Sequence, residues 1–169
     1  MYQDCSRQIT TTATAPTSRT TPAPSIQRWR VLKNPGPELI QETPNVEIFR
    51  EHVLDTSADD WQPAYGMVGG LLPLTELAKQ RPAILYLQGE LEVSEAGPIR
   101  INIDCTESTQ IWLDAEPFES TKQITRDLTP GRHSLTFRVQ VTDRPDPTIK
   151  VELTKPSGSA AQFTVINGM

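Results

Sequence analysis

Apolar and polar residues alternate strictly through the second half of the chain. In the segment AILYLQGELEV, Leu85, Leu87, Leu91 and Val93 share one face, and the segments IRINIDC, SLTFRVQV and IKVEL repeat the same period. A period of two is typical of a β-strand with one buried face and one solvated face. The turn signals EAGP and TPGR separate these segments. The pattern therefore predicts consecutive antiparallel strands.

Six or more such strands bury their apolar faces only when two sheets pack on each other. The sequence thus predicts an all-β fold, an antiparallel β-sandwich of the jelly-roll kind. Trp29 to Leu32 and Val46 to Phe49 are predicted as two further short strands, and Phe163 to Val165 as the last one. An α/β fold is not expected, because no helix long enough for a crossover connection is predicted.

The N-terminal region differs in composition from the rest of the chain. Residues 1–27 contain the run TTTATAPTSRTTPAPS, which has little apolar surface to bury. Such a run is predicted to be a disordered Thr/Pro-rich linker, followed by the β-sandwich domain at 28–169. A linker joins two domains, so a larger multidomain protein is one interpretation, and a simple tail is the other.

Composition excludes several classes of function. The chain has 169 residues, a net charge of -5 and a pI of about 5.1, so nucleic acid is not an expected partner. No apolar run approaches the roughly 18 residues that a membrane span needs. Cys5 and Cys105 lack metal-type spacing, and a disulfide between them is allowed but not required. We expect no metal site.

Signals for catalysis are weak. The chain has two histidines, His52 and His133, and lacks a nucleophile elbow, a zinc-protease motif and a phosphate-binding loop. Glu90 and Glu92 lie about 7 Å apart along one strand face, a spacing compatible with glycoside hydrolysis but also with any solvated face. The loop from Asp143 to Asp146 suits a plain turn better than a Ca²⁺ site. We expect no enzymatic activity, and a glycoside hydrolase fragment is the less favoured alternative.

Ligand recognition is the remaining possibility. Sugar-binding sandwiches use aromatic rings to stack on sugar faces and polar side chains to bind hydroxyl groups. The candidate ligand-binding residues by type are Trp112, Asp114, Asp104, Arg100 and Trp61. Trp112 points away from Ile111 and Leu113, so both core packing and sugar stacking remain open for it.

The order of GGLLPLTEL, IWLDAEPFE and LTPGRHSLTFRV resembles the C-terminal module of large secreted haem-containing proteins of planctomycete type, a β-sandwich of the PA14 or galactose-binding-like class. The resemblance implies a periplasmic or secreted, non-catalytic accessory module that contacts a glycan or packs on an adjacent domain. The family's haem ligands are not in this chain, so we expect no cofactor. Ala115 stands where the family has Gly, which predicts a longer loop through Glu116 and Pro117 instead of a tight turn.

Overall fold

Two antiparallel sheets pack face to face in the computed structural model, which describes residues 23–119 and 121–167. The larger sheet has seven strands: β1 (Arg28–Leu32), β2 (Trp61–Tyr65), β4 (Ala83–Glu95), β6 (Ser108–Leu113), β7 (Glu116–Phe118), β9 (Gly131–Val141) and β11 (Gln162–Val165). The smaller sheet has four: β3 (Leu72–Pro73), β5 (Gly97–Cys105), β8 (Gln123–Leu128) and β10 (Thr148–Thr154). This arrangement confirms the predicted all-β antiparallel sandwich.

The order of strands in the larger sheet is β2-β1-β4-β9-β6-β7, and β11 also pairs with β4. The order in the smaller sheet is β3-β10-β5-β8. The two longest strands, β4 and β9, pair in a register that places Leu87 opposite Phe137. Inward residues of both sheets form one apolar core, as their alternation predicts.

Gly89 sits among the inward positions of β4, opposite Leu135. A Cβ atom at this position would lie 2.7 Å from two side-chain atoms of Ile26, a fully buried residue. The missing side chain therefore makes the space into which Ile26 packs.

The packed domain begins before the predicted boundary at residue 28. Ile26 N–H donates to the Val151 carbonyl at 2.9 Å, and Leu153 N–H donates to the Pro24 carbonyl at 2.8 Å. This segment thus runs beside β10 and contributes Ile26 to the core. The other residues of the predicted linker, 1–22, lie outside the described residues, and so does Cys5.

A helical segment covers the outer face of the larger sheet, and we call residues 37–54 the helical cover. It comprises α1 (Pro37–Ile40), α2 (Val46–Phe49) and a π-helical turn (Arg50–Leu54). The prediction of a strand at Val46–Phe49 was wrong. Asn45 accepts a hydrogen bond from Ile48 N–H at 2.9 Å and so caps a helix at this point.

The helical cover changes the environment of the face that alternation predicts to be solvated. Tyr86 and Gln88 lie on that face of β4, yet both side chains are buried. The Tyr86 hydroxyl donates to the Leu39 carbonyl of the cover at 2.7 Å. The guanidinium of Arg138 donates to the same carbonyl at 3.1 Å and to that of Ile40 at 2.7 Å. Burial raises the pKa of Tyr86 to about 12, although Arg138 opposes this shift.

The connection between β6 and β7 is a two-residue turn, so the longer loop predicted through Glu116 and Pro117 was wrong. Leu113 pairs directly with Glu116, and both predicted loop residues belong to β7. The positive φ that the turn requires, 54°, falls on Asp114 instead of Ala115. Asp tolerates this conformation better than Ala does.

Candidate functional site

Trp112 is a core residue of a second apolar cluster, which lies between the larger sheet and the helical cover. Its side chain is 1% exposed. The ring of Phe49 stacks on it, with centroids 4.3 Å apart and an interplanar angle of 11°, and Tyr86 lies at 6.3 Å. Trp112 therefore presents no open ring face on which a sugar could stack.

Trp61 is buried in the same cluster. The guanidinium carbon of Arg30 lies 5.1 Å from the centroid of its ring, in the range of a cation–π contact. Arg30 also donates to the Gln88 side-chain oxygen, and Gln88 donates to the Thr136 hydroxyl at 3.0 Å. The Trp61 ring is thus occupied by contacts within the domain.

Arg100 and Asp104 lie on the outer face of the smaller sheet, with Asn102 between them. Asn102 donates to the Thr154 hydroxyl at 3.3 Å and accepts from the Gln123 amide at 2.9 Å. We call the surface formed by these five residues the polar face. Asp104 and Gln123 are exposed, the other three residues are half-buried, and the face contains none of the tryptophans.

Asp114 belongs to a third location, the turn between β6 and β7. One carboxylate oxygen accepts from Ser134 N–H at 2.9 Å, and the other lies 2.8 Å from Nδ1 of His133. The five predicted ligand-binding residues therefore occupy three separate places and do not converge on one site.

His133 joins two turns through its imidazole ring. Nδ1 faces the Asp114 carboxylate, and Nε2 lies 2.7 Å from the carbonyl oxygen of Thr129. A neutral imidazole has one N–H, so only the imidazolium donates to both acceptors. Burial lowers the pKa of His133, but the hydrogen bonds to Asp114 and Thr129 outweigh burial, and the pKa is raised.

The two carboxylates considered for catalysis pair with an arginine. Glu90 and Glu92 flank Arg132, at 3.7 and 3.6 Å. Asp146 has a positive φ of 52° in a turn. In the part of the chain that the structure describes, no group of three or more His, Cys, Asp or Glu side chains is placed to hold a metal ion.

The described residues bring polar side chains together at the edge of the helical cover, in a depression that we call the polar cleft. Its volume is 280 Å³. Apolar side chains of Leu32, Pro35 and Leu39 form part of its wall. The polar residues that line it are Lys33, Asn34, Glu38, His52, Thr56 and Asp60.

Local structure fixes the two carboxylates of the polar cleft. Glu38 Oε1 lies 3.5 Å from Nδ1 of His52, and a Cβ atom on Gly36 would collide with this carboxylate. Asp60 accepts hydrogen bonds from the Thr56 hydroxyl and, at 3.1 Å, from Ser57 N–H. The cleft therefore offers oriented acceptors beside donors from Lys33 and Asn34.

Sequence reasoning missed this cleft because it predicted a strand at Val46–Phe49, where the structure has a helical turn. The signals were an N-cap residue, Asn45, after Pro44, and the helical spacing of Phe49 and Val53. Both buried residues belong to the second apolar cluster. Recognising that helical turn would have placed His52 at the edge of the apolar stripe formed by Phe49 and Val53.

No helix in residues 23–119 and 121–167 has the length and apolar composition that crossing a membrane requires. No protein-family model matches the chain, and a search of curated proteins found no match.

Solved structures of low similarity were found. A selenomethionine-labelled β-glucosidase from Kluyveromyces marxianus has 15% identity over 76% of this chain and 14% of its own, with a TM-score of 0.44. The same enzyme in complex with glucose has 14% identity over 77% of this chain and 16% of its own, also with a TM-score of 0.44. The chain thus spans about one-seventh of the β-glucosidase. The PA14 domain of the MpAFP antifreeze protein has 12% identity over 90% of this chain and 93% of its own, with a TM-score of 0.42.

Proposed function

We propose that the chain is a non-catalytic accessory module of a larger extracytoplasmic protein, and that it binds a neutral saccharide unit in the polar cleft. The observation that carries this proposal is the convergence of mixed donors and acceptors on one cleft beside apolar walls. Sugar hydroxyl groups donate and accept at once, so they suit a site that offers both.

The size and charge of the polar cleft favour a small neutral ligand. Its 280 Å³ lies just below the range of about 300–1,000 Å³ typical of sites for drug-sized ligands, which suits a single sugar ring. Lys33, Glu38 and Asp60 bring charges of both signs. A neutral ligand with hydroxyl groups can hydrogen-bond to charged side chains of both signs. It brings no net charge of its own that would need a partner.

A glycan array probed with the full chain tests the proposal, followed by calorimetry with the best saccharide found. Glu38→Ala should weaken binding about tenfold or more, because a hydrogen bond to a charged group contributes about 1.5–3 kcal/mol. His52→Ala should weaken it about twofold to tenfold, the effect of an ordinary hydrogen bond of about 0.5–1.5 kcal/mol. Glu47→Ala, an exposed acid on α2 that does not line the cleft, is the matched control and should bind like the unmodified chain.

Two results would contradict this assignment. The first is an array on which no saccharide binds. The second is binding that survives both cleft variants and is lost in the double variant Arg100→Ala/Asp104→Ala, which would move the ligand to the polar face.

The host that we propose is of the large secreted haem-containing type. The support is the order of GGLLPLTEL, IWLDAEPFE and LTPGRHSLTFRV. Immunoblotting of periplasmic and secreted fractions of the native organism with an antibody against residues 28–169 would detect a polypeptide much larger than 18.8 kDa. A band at 18.8 kDa alone would contradict the proposed host.

The alternative function is structural, a terminal domain that packs against a neighbouring domain. One observation favours it, the end of β2 and the turn that follows, where Val68 is 102% exposed and Met67 and Tyr65 are also exposed. The backbone of this turn is ordered by hydrogen bonds from Met67 N–H to Leu71 and from Gly70 N–H to Met67. Exposed apolar surface of this kind marks interaction sites.

Calorimetry of the longer polypeptide, once isolated, tests the structural alternative. The double variant Met67→Ser/Val68→Ser should separate the unfolding transition of this domain from that of its neighbour. Gln62→Ser, on the exposed surface of β2, is the control. Identical unfolding of the apolar-turn variant and the unmodified polypeptide would contradict packing through this turn.

A further inference from the structure

A second depression, independent of the polar cleft, lies where the start of the described chain passes the ends of β10 and β11. Its volume is 440 Å³. The apolar side chains that line it are those of Ala23, Pro24 and Phe163, beside the buried Leu153. We call it the apolar groove.

The walls of the apolar groove are held by backbone hydrogen bonds. Leu153 N–H donates to the Pro24 carbonyl at 2.8 Å, which fixes the wall formed by Ala23 and Pro24 against β10. Leu153 is fully buried in the main core, and Phe163 packs on that core from β11. A groove ordered before the ligand arrives avoids part of the entropy cost of binding.

The polar groups at the rim are few and include a cation. Lys155, Thr154 and Gln162 complete the lining, and none of the described residues that line the groove is acidic. Within residues 23–119 and 121–167, the Lys155 ammonium has no ion pair or hydrogen bond. The Thr154 hydroxyl accepts from Asn102 of the polar face. The groove therefore combines apolar walls with one positive charge for which the described part of the chain supplies no counter-charge.

We propose that the apolar groove binds a small apolar carboxylate of the medium-chain fatty acid kind. The acyl chain lies against Ala23, Pro24 and Phe163, and the carboxylate pairs with Lys155. A volume of 440 Å³ falls within the range of small-ligand sites. This site does not depend on the saccharide proposal, since none of its residues lines the polar cleft.

A titration of the full chain with hexanoate, octanoate and decanoate, each below its micellar concentration, tests the proposal. Affinity should rise about fourfold for each added methylene, which corresponds to about 0.8 kcal/mol per buried CH₂. Amide NMR shifts should move at Leu153 and Phe163 and stay unchanged around the polar cleft. Octanol, which lacks the charge, should bind more weakly than octanoate.

Three variants locate the site. Lys155→Met keeps the length of the side chain and should weaken octanoate binding about threefold to fivefold, the effect of an exposed ion pair, without weakening octanol binding. Ala23→Trp should block the groove while sparing the core. Lys79→Met removes the same charge from a residue paired with Glu76 outside the groove, and should bind octanoate normally.

The proposal is overturned if octanoate does not bind the full chain or if affinity is independent of acyl length. It is also overturned if Lys155→Met and Lys79→Met bind octanoate with the same affinity. Binding by a chain that begins at Ala23 but not by the full chain would also overturn it. That result would show that residues 1–22 fill the groove themselves.

Discussion

The ring of Phe49 lies nearly parallel to the ring of Trp112, at a centroid distance of 4.3 Å and an interplanar angle of 11°. Phe49 comes from the helical cover and Trp112 from β6. This stack closes the outer face of the larger sheet and removes the aromatic surface that a sugar would need. It also holds the helical cover in place, and with it one wall of the polar cleft.

Phe49→Ala should therefore destabilise the domain by about 3–5 kcal/mol, the usual cost of truncating a buried Phe. Trp112 should become accessible to water, which would shift tryptophan emission to longer wavelength. Chemical denaturation followed by fluorescence measures both effects. Val46→Ala, on the exposed side of the same helix, should cost far less. Equal losses of unfolding free energy in Phe49→Ala and Val46→Ala would mean that the helical cover does not pack through Phe49.

The stability contributed by His133 should decrease as pH rises. Its pKa is raised in the folded state, so the contribution is fully present below the unfolded pKa of about 6.5 and is lost as pH rises through the folded pKa. The difference in unfolding free energy between the unmodified chain and His133→Gln should therefore shrink as pH rises from the unfolded pKa of His133 through its folded pKa.

His52→Gln serves as the control for this pH dependence, because His52 lies 3.5 Å from its carboxylate partner and is more exposed. A pH-independent difference for His133→Gln would show that the ring does not donate from both nitrogens. NMR titration of the imidazole protons gives an independent measurement of its protonation.

Glu107 should contribute stability that is lost in acid. Its carboxylate is 1% exposed and accepts from Thr142 N–H at 2.7 Å and from the Thr142 hydroxyl at 2.8 Å. Arg144 Nε lies 3.2 Å from the other oxygen, within ion-pair range but without the alignment of a hydrogen bond. Burial raises the pKa of Glu107, yet these partners outweigh burial and lower it.

Because the folded pKa of Glu107 is lowered, its contribution is present above the unfolded pKa of about 4.3 and is lost as pH falls through the folded value. Glu107→Ala should cost about 1.5–3 kcal/mol at neutral pH, the range for hydrogen bonds to a charged group. Denaturation at pH 7 and pH 3 measures the change. Glu76→Ala, which is exposed, should have little effect at either pH. A cost for Glu107→Ala that is the same at both pH values would contradict the role of the carboxylate charge.

Gly89→Ala should destabilise the domain by about 1–3 kcal/mol through overpacking. The added methyl group would meet Ile26 at 2.7 Å. If this contact is the cause, the double variant Gly89→Ala/Ile26→Ala should lose less unfolding free energy than its two single variants lose in sum. Strict additivity in a double-mutant cycle by denaturation would contradict it.

The sequence predicted the sandwich because strand periodicity is local. Alternation in β4, β5, β9 and β10 shows which residues face inward without knowledge of any partner. The same reasoning placed Ile111 and Leu113 in the core and Trp112 on the opposite face, and the structure agrees. It failed at Val46–Phe49, where the four-residue segment VEIF, with three apolar residues, fits a strand as well as a helical turn.

Whether the outer face of the larger sheet is exposed or buried was decided only by the tertiary structure. Whether Trp112 and Tyr86 meet solvent or protein depends on residues far away along the chain, in the helical cover. The polar cleft has the same origin, because Lys33 and His52 approach each other only after the cover docks. Periodicity thus determined which side each residue occupies. Long-range packing determined what lies against that side, because burial depends on contacts that no local pattern encodes.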